Sequence, residues 1–85
     1  MAAPAEATNE TFTDVIPALG KKVVYVCGTT AINDDFITVP NLSTVNGAYL
    51  VATDGTAGEL TFATNVITVT NGGALTWTGL AWGDA

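Results

Sequence analysis

Eighty-five residues are enough for one domain, near the size at which a single apolar core becomes marginal. The composition, 48% hydrophobic and only 12% charged, excludes a disordered chain and is sparse in charge for a free monomer, so part of the surface is expected to be covered by a partner. The net charge of −6 comes from eight acids against Lys21 and Lys22, with no Arg and no His, which leaves no basic footprint for nucleic acid.

Residues 1–11 are Ala, Thr and acid without periodicity. They contain neither a basic region nor an apolar segment, so no export signal is expected in them. No apolar run reaches the roughly 20 residues a membrane helix requires, and no membrane insertion is expected. The sequence predicts residues 1–18 to be an N-terminal arm packed on a neighbouring subunit. Phe12, Val15 and Ile16 would anchor it and Pro17 would end it. Residues 19–85 then form a single β domain.

Leu19 to Lys22 reads as a turn, followed by a strand over Lys21–Cys27. That strand is apolar on both faces, as a central or sandwich-buried strand is. The lone Cys27 within it excludes an internal disulfide and reads as a small buried hydrophobe. Gly28–Asp35 is a loop. Its Asn33-Asp34-Asp35 has too few acids at alternate spacing for a calcium loop, and a solvated turn is expected instead. Phe36–Val39 is a short strand closed by Pro40, which lacks a donor and marks an edge or a strand end. Asn46-Gly47 signals a turn, and Ala48–Thr53 is the next strand. The Gly-rich loop 54–58 is not a phosphate loop, because no Lys and no helix follow it.

Glu59–Trp82 reads as a three-strand meander. A two-residue turn at Thr64-Asn65 sets Leu60 opposite Val69 and Phe62 opposite Ile67, which puts these four on one face. A three-residue loop at Asn71–Gly73, with Gly at its left-handed position, adds Leu75 and Trp77 to that face. The opposite face carries Thr61, Thr68 and Thr76, flanked by Thr70 and Thr78. Leu80 and Trp82 reverse the parity of Leu75 and Trp77, so a bulge or kink is predicted at Gly79. Strands of about five residues with turn signals every 8 to 12 predict an all-β fold, a small antiparallel sandwich or jelly-roll-like domain.

Catalytic options are narrow. With no His and a single Ser, Ser43, a nucleophile and base cannot be assembled. Zinc-type Cys and His clusters are missing. A carboxylate pair remains, but eight acids make some pair inevitable. No enzyme activity, cofactor or metal is expected. The leading expectation is a structural or assembly module that buries apolar and Thr-rich sheet surface. Its candidate interface residues are Phe12, Val15, Ile16, Thr61, Thr68, Thr70, Thr76, Thr78, Leu80 and Trp82. A carbohydrate-binding, lectin-like module using Trp82, Trp77, Tyr49 or Tyr25 is the second expectation. Ice binding by the Thr-x-Thr triplets at 11–13, 68–70 and 76–78, which form no repeat, is the third.

The short alternating strands rich in Thr, Val, Ala and Gly over residues 20–83, with an acidic N-terminal extension, resemble small all-β virion proteins. These are capsid decoration or cement proteins and tail or fibre modules. The resemblance implies a symmetric homo-oligomer seated on a shell or tube protein, with the arm crossing to a neighbour. The implied setting is a virion or another extracellular assembly such as a filament or surface layer.

Overall fold

In a computed structural model, described over residues 3–18 and 20–85, the chain is all-β. Its seven strands are β1 (Thr8–Ala18), β2 (Lys21–Thr29), β3 (Phe36–Thr38), β4 (Thr44–Ala52), β5 (Leu60–Ala63), β6 (Val66–Val69) and β7 (Thr76–Asp84). They form a sandwich of a four-stranded sheet, β1-β2-β7-β4, and a three-stranded sheet, β3-β6-β5, with antiparallel neighbours throughout. The core lies between the sheets. Val24 and Val26 of β2, Leu50 of β4, Trp77 and Ala81 of β7, Ile37 of β3 and Ile67 and Val69 of β6 are buried there. Each obeys the period of two: the intervening residues point away from the core.

The first hairpin of the predicted meander is present. Leu60 pairs with Val69, Thr61 with Thr68, Phe62 with Ile67 and Ala63 with Val66, around a turn in which Thr64 takes a left-handed φ of 51°. The second hairpin is not. After Val69 the chain crosses to the other sheet, and β7 inserts between β2 and β4 while β6 pairs with β3. Asn71–Gly73 is therefore a crossover between layers. Gly72 N donates to Val69 O at 3.1 Å, and the Asn71 side chain ties the corner to Glu59 N and Ala57 O.

The predicted kink at Gly79 is also absent. β7 pairs without a break from Thr76 to Asp84 along β2. Trp77, Gly79, Ala81 and Gly83 share the inner face, and Leu80 and Trp82 share the outer face with Thr76 and Thr78, so the parity never reverses. Gly79 serves a close approach instead: a Cβ there would lie 1.8 Å from Tyr49 O of β4. The irregularity sits in β4, between Val45 and Gly47, so the Asn46-Gly47 turn signal marks a bulge inside a strand.

Residues 8–18 are not a detached arm in this fold. They form edge strand β1, paired with β2 from Thr8↔Thr29 to Ala18↔Lys21. Only two residues separate Ala18 from Lys21, so β1 is held to the domain as one arm of a tight hairpin. Pro17 does not end the strand; it lies on the sheet's edge, where a missing donor is tolerated. Before β1, Ala5–Ala7 lie parallel to β3, with Ala7 N donating to Phe36 O at 2.7 Å and Phe36 N to Ala5 O at 3.1 Å. One continuous N-terminal segment thus crosses from one sheet to the other.

Candidate functional site: the outer face of the four-stranded sheet

Alternation sends every second residue of β1, β2, β7 and β4 outward, and the register aligns them in rows. One row is Thr13–Tyr25–Leu80–Tyr49. Above it runs Thr11–Cys27–Thr78–Val51, and below it Val23 and Trp82 lie side by side with Gly47. At the far end Thr29 pairs with Thr76, their hydroxyls 3.1 Å apart. From Val23 to Thr29 no outer row contains a charged residue. Tyr25 is 41%, Leu80 40%, Trp82 42% and Tyr49 61% exposed, so four of the chain's large apolar side chains in solvent share this one face. An apolar cluster of this kind is what a partner-binding surface carries.

Trp82 is held flat. A Cβ on Gly47 would meet Cε2, Cζ2 and Nε1 of the Trp82 ring at 2.6 Å each, so the ring lies face-on over the glycine of the β4 bulge. One ring face is packed on backbone, and the side chain as a whole is 42% exposed. On this outer face charge lies at one end of the sheet. Lys21 pairs with Asp84 there, and Lys22 lies 3.3 Å from Asp14, whose carboxyl is held below the usual range by the Asn41 hydrogen bond and by Lys22.

The predicted interface residues distribute unevenly. Thr76, Thr78, Leu80 and Trp82 come together on this outer face. Thr61 and Thr68 pair with each other on the outside of the three-stranded sheet, so the expected Thr61–Thr68–Thr76 row is broken by the crossover. Thr70 lies beyond the end of β6 and donates its hydroxyl to Glu59 O at 2.9 Å. Phe12 is opposite Val26 and packs against the core, which corrects its expected role as an outward anchor. Val15 is exposed where the β1 register slips between Asp14 and Ile16; Ile16 pairs with Val23, and its side chain lies outside the described residues. Cys27 is half-buried on the outer face rather than in the core.

Tyr25, Val23 and Val51 were not among the predicted interface residues. Their signal was present in the alternation of Val23, Tyr25 and Cys27 against Val24 and Val26, which divides an apolar strand into an inner and an outer set. The Asp34-Asp35 pair resolves into a structural fastening. Asp35 is buried and accepts from Ala5 N at 2.9 Å, Ala31 N at 2.8 Å and Ile32 N at 3.1 Å, which together lower its carboxyl below the usual range. Its lone pairs are used by the backbone. Among the described residues no three acids, Cys or His gather to hold a metal ion. No family model, curated protein or solved structure matches the chain.

Proposed function

We propose that the chain is a self-associating structural subunit, with the outer face of the four-stranded sheet as its contact and a second copy as the occupant. The observation that carries this is the set of charge-free rows centred on Thr13–Tyr25–Leu80–Tyr49. The occupant follows from charge. A copy with net charge −6 keeps this face neutral, so two such faces meet without opposing charges, while a strongly basic partner would gain nothing from it. The Tyr and Thr hydroxyls around Leu80 can pair as the apolar area is buried. The resemblance to small virion proteins supports the same reading, in which copies assemble on a shell, tube or filament.

Sedimentation equilibrium tests this. The wild type should associate with increasing concentration, and Leu80→Glu, which adds a charge at the centre of an exposed row, should leave a folded monomer. Association should also slow maleimide labelling of Cys27, and the labelled chain should be monomeric. A wild type that stays monomeric at millimolar concentration overturns the reading.

The flat Trp82 favours a second reading, carbohydrate stacking on its partly exposed ring. Glycan-array binding lost in Trp82→Ala and kept in the monomeric Leu80→Glu would favour it over self-association.

A further inference from the structure

The crossing of the N-terminal segment between the sheets carries two acids that folding does not account for. Glu6 lies in the stretch that pairs with β3, and Glu10 lies in β1, which pairs with β2. Between them Asn9 takes a left-handed φ of 52°, and the β1 register slips between Thr8 and Thr11. This is the bend where one strand changes sheets.

At the bend the two carboxyls are near enough to act on each other's protonation. Glu6 is oriented by Thr38 of β3, which donates N–H to Oε2 and Oγ1–H to Oε1, both at 2.7 Å. Both its oxygens are thus acceptors already in use. Glu10 lies beside Gly28 of β2, where a Cβ on the glycine would be 3.5 Å from Cγ of Glu10. Its Oε2 is buried, and no N–H or O–H of a described residue reaches it. A buried carboxylate oxygen without a donor, set beside a second carboxylate, is stable only if the pair keeps a proton. Neither lysine compensates it: Lys21 pairs with Asp84 and Lys22 with Asp14. The other acid tied to this segment, Asp35, accepts from Ala5 N.

We propose that Glu6 and Glu10 form a proton-held latch, in which one shared proton fastens the N-terminal crossing and its loss releases Ala5–Ala7 from β3. The shared proton lets Glu10 donate to Glu6. Without it, two negative charges face each other across the bend, and the segment is held by the paired backbone of Ala5, Ala7 and Phe36 and by Asp35. Release exposes the β3 edge and uncovers Ala7 and Ile37, which are otherwise buried. The direction of the titration agrees. Burial first, then the Glu6 hydrogen bond and charge, push the Glu10 carboxyl up to about 8. For Glu6, burial pushes upward, but the hydrogen bonds from Glu10 and Thr38 pull it below the ordinary range.

Amide hydrogen exchange followed by NMR, corrected for the intrinsic base dependence, tests the latch. Protection at Ala7 and Phe36 should fall by about tenfold or more between pH 6 and pH 9.5, since one unit of pKa displacement corresponds to a tenfold change in the opening equilibrium. Protection at Val24 and Val26 should hold. In Glu10→Gln the amide donates to Glu6 at every pH, and the fall at Ala7 should vanish. A carboxyl carbon titration of the wild type gives an independent measure. Glu10 titrating in the ordinary Glu range, or pH-independent protection at Ala7, overturns the proposal. Neither readout depends on whether the chain self-associates.

Discussion

Trp77 fills the middle of the core and brings a polar N–H with it. Nε1 donates at 3.0 Å to Oγ1 of Thr30, a buried hydroxyl that in turn donates to Gly73 O at 2.8 Å. One threonine thus satisfies both the indole and the crossover loop. Thr30→Val keeps the shape and removes both bonds, so it should cost about 1–3 kcal/mol in chemical denaturation. Thr29→Val, one residue away on the half-buried outer row, gives up only the hydroxyl pair with Thr76 and should cost less, about 0.5–1 kcal/mol. Equal losses at the two positions would remove the special role of Thr30. The burial of Trp77 was expected from the sequence, but through a pairing with Ile67 that the fold does not make. Thr30 was not, because a side chain bonding a distant main chain leaves no period. Phe62 shows another limit: it lies on the expected face, opposite Ile67, and is still 41% exposed. Facing the core and being covered by it are different properties, and β5 is at the edge of its sheet.

Strand pairing divides in the same way between what is local and what is not. The β5–β6 register was readable because a two-residue turn fixes it. The partner of β7 was not, because a Gly-rich corner suits both a hairpin and a crossover between layers. What β7 gains by crossing is length: it spans nine residues and pairs along β2 and β4, each also nine residues long, whereas β6 has four. Its place between two strands also explains Gly79. The φ of Gly79 is not left-handed, but β4 passes so near that a methyl group would collide with the Tyr49 carbonyl. Backbone cannot rotate away as a side chain does. Gly79→Ala should therefore cost about 3 kcal/mol or more, or prevent folding, since overpacking against a fixed neighbour sits at the upper end of such losses. Gly55 has the opposite character, with φ 90° and no atom within 4 Å of the place a methyl group would occupy, so Gly55→Ala should cost about 1–2 kcal/mol from backbone strain alone. Thermal melts of the two variants separate close approach from conformation, and a milder loss at Gly79 than at Gly55 would contradict the close packing of β4 on β7.

At the scale of the whole molecule, charge and area set what the outer face can do. Four strands at about 4.8 Å spacing and seven residues at about 3.3 Å give roughly 19 by 23 Å, or about 440 Å². That is about half of what each partner buries in a standard stable interface, near 800 Å². One face-to-face contact is therefore weak, and a lasting assembly needs many copies or further contacts, as a shell or filament supplies. Each copy also carries a net charge of −6 that the face itself does not contain. The Coulomb term between copies is then a repulsion acting from outside the contact, and salt screens it: the Debye length is about 10 Å at 0.1 M and about 3 Å at 1 M. Burial of apolar area does not lose strength as salt rises. Self-association should accordingly tighten several-fold between about 20 mM and about 500 mM sodium chloride, measured by sedimentation velocity. An interface built on ion pairs predicts the reverse, because screening weakens attraction between opposite charges. Weakening with salt would therefore move the contact from the charge-free rows to the charged end of the sheet, where Lys21 and Asp84 pair.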